Sequence, residues 1–310
     1  MIEGKNLNFK NKGIDIISDF NFKIPLNKTT CILGNKNSGK TSLLKILSKI
    51  NCDYTGEILY NNNDLLKTNL KISFVSSDIE EKVNLNIYEY LSFYLKLYGF
   101  EGNINDEIDS YLNKTQMQIY KFTDWSLLSF EERKIITIIR AIICKPEIIF
   151  IDSLFAGLSD NNINKVKKLL TLTHKNATII IAERDFNNLS DIVDYIIAIK
   201  DNKIIIEGEL KEILKKLSTS NNIELQVLDD VEKTIKILNE NSLINNISND
   251  NSRVVFEFDG SESDANAILK SLIDNNVKVV SYKRDNSKYN DILNLINDAT
   301  LNYTISKEEF

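Results

Sequence analysis

The residues best suited to chemistry are 34–41, which read Gly-Asn-Lys-Asn-Ser-Gly-Lys-Thr. They fit the pattern G-x-x-x-x-G-K-[ST], whose backbone N–H groups and following helix start surround phosphate oxygens. Lys40 is expected to reach the β- and γ-phosphates, and the Thr41 hydroxyl to ligate Mg²⁺. The predicted nucleotide-binding residues are Gly34, Asn35, Lys36, Asn37, Ser38, Gly39, Lys40 and Thr41. A chance match in an ordinary strand–turn–helix is the alternative.

A second candidate stands at the end of the apolar run 148–152, Ile-Ile-Phe-Ile-Asp. Such a run is typical of a parallel strand that is buried on both faces. An acid at the end of that strand, beside a phosphate loop, is the residue type that orients Mg²⁺ in phosphoryl chemistry. Thr41 and Asp152 are therefore the predicted metal ligands.

The elements that must position these residues begin with three alternating runs before the loop, at 2–9, 14–24 and 29–33. Their period of two predicts a small antiparallel sheet that leads into the loop, and a helix is expected at 40–50. Phe9, in the first run, has two possible roles. It could stack on an adenine ring or pack in the core.

Residues 84–145 repeat apolar positions at helical spacing and predict a helical insertion. Within it, Ser129 and Glu132 are spaced as in a capping box at a helix start. The remaining elements predicted around the insertion are strands at 56–60, 71–75 and 178–182, a helix at about 160–173 and a hairpin over 192–207 with its turn at Asp201-Asn202.

A cluster of polar residues at 218–222 predicts a boundary between domains 1–218 and 219–310. The second domain reads strand, helix, strand, strand, helix, strand from 222 to 282, which is the split-βαβ order, and a last helix is expected at about 288–301. Because this domain contains no His, no Cys and no glycine-rich loop, binding or regulation is expected of it rather than catalysis.

Composition narrows the classes of function. The net charge of −6 gives no electrostatic reason to expect a nucleic-acid partner. The three cysteines lack disulfide or metal spacing, which favours a reducing compartment. The longest apolar runs are too short to cross a bilayer, so a membrane role is expected to need a partner.

With these motifs in this order, residues 1–215 resemble the nucleotide-binding subunit of ABC transporters. Residues 219–310 resemble the C-terminal extension of some bacterial members. The resemblance implies an α/β P-loop NTPase fold of ABC type with an antiparallel β subdomain and a helical insertion. A small α+β (ferredoxin-like) C-terminal domain would follow.

The same resemblance implies ATP and Mg²⁺ as cofactors. It implies two partners, a separately encoded membrane permease and a second nucleotide-binding subunit, and a cytoplasmic location at the inner face of the cell membrane. In this family each ATP lies between the phosphate loop of one subunit and the signature Leu-Ser-Gly-Gly-Gln of the other. Ser129, in the corresponding stretch here, becomes a candidate nucleotide-binding residue.

Three catalytic positions depart from the family's pattern. The general-base Glu is replaced by Ser153, the switch His by Arg184 and the loop Gln by Ser77. A serine hydroxyl is too weakly basic to activate water, and an arginine stays protonated. The only histidine, His174, lies upstream and is expected at the surface.

The signature and the loop after Asp152 are altered as well. Phe130 and Glu131 replace two glycines, and Ser159 stands where Asp is usual. A bulky ring and a negative charge should weaken anion binding at this helix start.

Three functions follow from these patterns. The favoured one is an ATP-binding transport subunit with weak or absent hydrolysis at its own site. The alternative is a fully active ABC transporter ATPase that drives export. A soluble ABC protein acting on nucleic acid or ribosomes is least consistent with the acidic charge. Permease contacts are expected along 76–98, through Tyr88, Tyr90, Phe93 and Tyr94.

Overall fold

The structure is a computed structural model that describes residues 1–79, 83–173, 177–186, 188–217, 222–228, 230–250, 252–258 and 262–284. These residues form two compact units, the first covering Met1–Lys211 and the second beginning at Glu212. The predicted boundary after residue 218 falls among residues 218–221, outside the described ranges. In the part of the chain that the structure describes, every helix is too short or too polar to span a bilayer.

The strands of the first unit are β1 (Ile2–Asn11), β2 (Ile14–Ile24), β3 (Thr29–Gly34), β4 (Thr55–Tyr60), β5 (Asn63–Asp64), β6 (Ile72–Val75), β7 (Ile148–Asp152), β8 (Thr178–Glu183), β9 (Tyr195–Lys200) and β10 (Lys203–Glu209). Its helices are α1 (Lys40–Leu47), α2 (Ile87–Leu97), α3 (Ile104–Thr115), α4 (Phe130–Ile143) and α5 (Asp160–Thr173). Short 3₁₀ turns cover Leu65–Lys67, Gln118–Tyr120 and Trp125–Leu127. Helix α6 (Leu210–Leu217) lies at the junction of the two units in the sequence.

The main sheet has the strand order β10-β9-β3-β8-β7-β6, and only β10 runs antiparallel to its neighbour. Strands β3 and β7 are buried at every position, as expected of central parallel strands covered on both faces. The carboxyl ends of β3, β8 and β7 meet at one edge, since Leu33 pairs with Glu183 and Ala182 with Asp152. This edge positions the candidate site.

The second sheet of this unit is antiparallel, with the order β2-β1-β4-β5. The prediction that residues 29–33 join this sheet is wrong, because β3 lies in the parallel sheet between β9 and β8. The polar residues Thr29 and Thr30 suggested an exposed face, yet both are buried. Residues 29–33 read Thr-Thr-Cys-Ile-Leu, which is not a strict alternation, and the short threonine side chains fit between two covered faces.

The helical insertion is observed as α2, α3 and α4. Ser129 caps α4 as predicted: its hydroxyl accepts from the Glu132 amide (3.3 Å), and the Glu132 carboxylate accepts from the Ser129 amide (2.7 Å). The hairpin β9–β10 turns at Asp201 and Asn202, both with positive φ, which is the conformation of a two-residue type I′ turn.

The second unit contains β11 (Asn222–Val227), α7 (Val231–Asn239), β12 (Ile244–Asp250), β13 (Arg253–Phe258), α8 (Glu262–Asp274) and β14 (Val279–Arg284). All its strand pairs are antiparallel in the order β12-β13-β11-β14, the split-βαβ arrangement. Its core is built around Leu225, Phe256 and Leu272. The helix predicted at 288–301 lies outside the described residues.

Candidate nucleotide-binding site

The phosphate-binding pattern forms the turn between β3 and α1. Gly39 has a φ of +93°, and a Cβ there would lie 2.8 Å from the Ile16 carbonyl oxygen. A Cβ on Gly34 would lie 2.6 Å from the Ile199 carbonyl oxygen. Both positions therefore require glycine on steric grounds, which explains the spacing of the two glycines.

Lys40 points back into this loop. Its side chain is 8% exposed, and Nζ donates hydrogen bonds to the carbonyls of Gly34 (2.6 Å) and Asn35 (2.7 Å) and to Ser38 Oγ (3.2 Å). Burial lowers the pKa of Lys40, and the nearby Arg184 guanidinium lowers it further. An anion held by the loop would relieve this repulsion between two cations.

Thr41 and Asp152, the two predicted metal ligands, are in direct contact. The Thr41 hydroxyl donates to Asp152 Oδ2 at 2.8 Å, and Asp152 is 4% exposed. Since β8 separates β3 from β7, this hydrogen bond spans the end of β8. A hydroxyl and a carboxylate are oxygen ligands of the class that Mg²⁺ prefers, and Mg²⁺ usually takes its other ligands from water and phosphates. The pair therefore fits the magnesium of Mg-ATP.

Three further residues lie at the same sheet edge. Ser153 follows Asp152 with a φ of +58°, and its amide donates to the Ala182 carbonyl at 2.9 Å. Glu183 Oε1 accepts from the Phe155 amide at 3.1 Å, and burial raises the pKa of Glu183. Ser153, Glu183 and the exposed Arg184 line a cavity of about 440 Å³. Glu183 was not among the predicted residues, although its place at the end of a buried strand was visible in the sequence.

Other predicted residues are not part of the 34–41 loop or of the Thr41–Asp152 pair. Phe9 is 7% exposed and packs in the core with Leu7 and Ile17, which favours its core role over stacking on adenine. Ser129 uses its hydroxyl as the cap of α4. Ser77 lies two residues after β6. His174 lies outside the described residues.

The first turn of α4 contacts the segment that follows β7. Glu131 Oε2 accepts from the Ser159 amide (3.0 Å), from Ser159 Oγ (2.8 Å) and from Asn162 Nδ2. The backbone N–H of Ser159, followed by the Asn162 amide and the Ser159 hydroxyl, lowers the pKa of Glu131. The Phe130 ring lies against Gly157, where an added Cβ would be 2.6 Å from Phe130 Cε1. Phe130 and Glu131 are thus engaged within their own chain.

Lys134, one turn into α4, is a buried cation that sequence reasoning missed. Its Nζ donates to the carbonyls of Ser153 (2.6 Å) and Ala156 (2.7 Å). Burial lowers the pKa of Lys134, and the negative charges of Glu183 and Asp152 oppose that effect. In the sequence, Lys134 read as one more polar residue at a helix start, because carbonyl acceptors give no sequence signal.

Residues 17–156 match the family model described as ABC transporter. The matched segment contains the 34–41 loop and Asp152, and it ends before Glu183 and Arg184.

Relatives agree with this match. The energy-coupling factor transporter ATP-binding protein EcfA2 of Clostridium perfringens is 25% identical over 250 residues, which cover 77% of this chain and 87% of that protein. An uncharacterized ABC transporter ATP-binding protein of Bacillus subtilis, YcbN, is 24% identical over 300 residues, which cover 94% of this chain and 95% of that protein.

Solved structures share the fold. The structure of cbiO1 from Clostridium perfringens has a TM-score of 0.57 at 23% identity and covers 70% of this chain and 93% of that one. An ATP-binding subunit of an ABC transporter has a TM-score of 0.63 at 16% identity, covering 70% of this chain and 92% of its own. The matched segment and the relatives thus make this chain similar to ATP-binding subunits of ABC transporters, and its first unit has the P-loop NTPase fold of that type.

Proposed function

We propose that this chain is an ATP-binding subunit of an ABC transport complex that binds Mg-ATP through residues 34–41, with weak or absent hydrolysis at its own site. The observation that carries the proposal is the hydrogen bond between Thr41 and Asp152, beside the buried Lys40 ammonium. At this one sheet edge Lys40 can meet a phosphate group, and Thr41 and Asp152 can hold a magnesium ion, which is the arrangement that Mg-ATP requires.

Weak hydrolysis is supported by the residues that follow Asp152 on β7 and Glu183 on β8. Ser153 offers no general base, and the loss of a positioned base typically costs about 10²–10⁴ in rate. Arg184 carries a fixed positive charge and cannot accept a proton. The carbonyl of Ser153 is held by Lys134, which ties this segment to α4.

We further propose that the subunit works at the cytoplasmic face of a membrane, with a separate membrane permease and a second nucleotide-binding subunit. The printed descriptions of its relatives support this: one is an energy-coupling factor transporter ATP-binding protein, and another is part of the ABC transporter complex cbiONQ.

The expected permease contact lies on α2. Phe93 is 55% exposed there, whereas Tyr90 is buried with its ring centroid 4.8 Å from that of Trp125. Phe93→Ala is therefore the informative variant of this surface, because it removes exposed contact area and leaves the core intact. Reduced pull-down of a co-expressed permease, with ATP affinity unchanged, is the expected result.

The proposal is tested by ATP titration and steady-state phosphate release on the same purified protein. We expect saturable ATP binding that weakens by roughly 10- to 150-fold in Lys40→Ala, since hydrogen bonds from charged groups are typically worth about 1.5–3 kcal/mol. Turnover is expected near background in both proteins. Absence of ATP binding in the wild type would contradict the whole proposal.

A second candidate function, an active ATPase, is favoured by one observation. Glu183 places a carboxylate, whose pKa is raised by burial, in the same cavity as Ser153, and a positioned carboxylate can act as a general base. The matched variant is Glu183→Gln, which keeps an oxygen to accept from the Phe155 amide and loses the basic group. Ordinary enzyme turnover in the wild type, lost in both Lys40→Ala and Glu183→Gln, would establish this alternative.

A further inference from the structure

Lys134 of α4 is a buried cation close to the proposed magnesium ligand Asp152. Its side chain is 1% exposed, although a buried ammonium is costly unless it is paired or fully hydrogen-bonded. It is a residue of α4, yet its Nζ reaches the segment that follows β7. Its ammonium group therefore bonds to backbone outside α4 and can fix the conformation of that backbone.

Lys134 bonds to the turn 153–156, which directly follows Asp152, the proposed magnesium ligand. Nζ donates to Ser153 O at 2.6 Å and to Ala156 O at 2.7 Å, so one ammonium joins both ends of a four-residue turn. The first of these carbonyls belongs to the residue that follows Asp152. Because Ser153 has a left-handed backbone with a φ of +58°, its carbonyl direction needs support from outside the turn.

The charges nearby match this role. Asp152 and Glu183 are the acidic groups that act on Lys134, and Glu183 also accepts from the Phe155 amide inside the turn. The Asp152 carboxylate in turn accepts from Thr41. A continuous set of hydrogen bonds and backbone therefore leads from Lys134 through Ser153 and Asp152 to Thr41.

We propose that Lys134 is a positioning residue for magnesium: by holding the Ser153 and Ala156 carbonyls, it keeps the Asp152 carboxylate directed at Thr41. This inference rests on the proposed function, in which Thr41 and Asp152 hold the magnesium of Mg-ATP. It adds a residue of α4 to the determinants of magnesium binding on β7 and α1.

The test separates the magnesium-dependent part of ATP affinity from the rest. ATP affinity is measured by calorimetry with excess Mg²⁺ and with EDTA, and the ratio of the two affinities is compared between proteins. Lys134→Met keeps the length and apolar body of the side chain and removes the donors. In Lys134→Met we expect the ratio of ATP affinity in Mg²⁺ to that in EDTA to fall by about tenfold, because losing a hydrogen bond to a charged group typically changes an equilibrium constant by about that factor. The affinity in EDTA should change by less than about twofold.

Two control variants define the role. Lys134→Arg keeps a charged donor and should preserve most of the ratio. Lys167→Met removes a lysine of α5 that bonds Asp191, and should leave the ratio unchanged. Folding is followed by thermal melting. If Lys134→Met does not fold, Lys134→Gln, which retains one amide donor, takes its place with the same expected direction.

A double-mutant cycle with Asp152→Asn decides the mechanism. If Lys134 acts through Asp152, adding Lys134→Met to Asp152→Asn lowers the ratio no further. Equal losses of affinity in Mg²⁺ and in EDTA, or additive effects with Asp152→Asn, would overturn the proposal, as would a wild-type ratio of one. A wild type that binds no ATP under either condition would instead contradict the proposed function.

Discussion

The 34–41 loop and the first turn of α4 both belong to the pattern of an ABC-type ATP-binding domain, but they differ in what their side chains contact. In the loop, the pattern residues are all present, and Lys40 and Thr41 make their contacts at the phosphate edge. In α4, Phe130 and Glu131 stand where the resemblance predicts two glycines, and both side chains contact residues 157–162 of their own chain.

The difference shows that backbone conformation limits which residues the loop accepts, whereas side-chain contacts limit which residues the first turn of α4 accepts. The loop depends on backbone positions that admit only glycine, so any side chain at Gly39 disturbs the whole cradle. The α4 turn depends on side-chain pairs, and a change on one side can be matched on the other. Ser159 is an example, because its hydroxyl and its backbone amide both donate to the Glu131 carboxylate. An aspartate at position 159 would instead repel Glu131.

The largest effect on ATP affinity is expected from a substitution in the 34–41 loop. Gly39→Ala should reduce ATP affinity by roughly 30-fold or more, because left-handed strain of about 1–3 kcal/mol adds to a 2.8 Å approach to the Ile16 carbonyl. Calorimetric titration measures the change. Gly13→Ala is the matched control, since Gly13 also has a positive φ but has open space around it. If both variants weakened ATP binding equally, the phosphate-binding loop would be no more sensitive to an added Cβ than the turn at Gly13.

A smaller effect, on protein stability, is expected where the first turn of α4 packs against the segment that follows β7. Gly157→Ala should lower the free energy of unfolding by about 1–3 kcal/mol, because the new Cβ meets Phe130 and a φ of +76° disfavours alanine. Urea denaturation gives the value. In the double variant with Phe130→Ala the loss should be smaller than the sum of the single losses, since the clash is gone. Additive losses would show that Phe130 does not press on Gly157.

The smallest effect concerns the charge of Glu131. Hydrogen bonds from Ser159 and Asn162 hold the pKa of Glu131 below its usual value in the folded protein. The contribution of Glu131 to stability is therefore present above its unfolded pKa of about 4.3 and is lost as pH falls through the folded pKa. Glu131→Gln should thus be slightly less stable than the wild type near neutral pH, with the difference vanishing in acid. A difference independent of pH would assign the contact to packing rather than charge.

Several features could be predicted from sequence because they are local. The spacing of 34–41 defines a loop whose glycines must stand where the backbone turns and approaches its neighbours closely. Ser129 and Glu132 cap a helix through bonds within one turn, and Asp201-Asn202 make a hairpin through their tolerance of positive φ. The order of elements in the second unit followed from the same kind of pattern.

Other features could not be predicted, since they depend on which strands become neighbours. Residues 29–33 lie in the parallel sheet between β9 and β8 and are buried on both faces, which the two threonines of this run did not indicate. Glu183 meets Phe155 only because β8 lies beside β7. No pattern along the chain indicates these contacts, because the residues that make them are distant in the sequence.

The phosphate-binding loop and the residues Thr41 and Asp152 were predictable from the amino-acid sequence, because each of these residue types follows from its local chemistry. That Thr41 and Asp152 are in contact at 2.8 Å across the end of β8 depends on the strand order of the folded sheet. The tertiary structure also decided that Lys134 holds the turn after Asp152 and that Glu131 meets Ser159. These contacts join backbone carbonyls and side chains from separate elements, and the strand order and packing, rather than any spacing along the chain, bring them together.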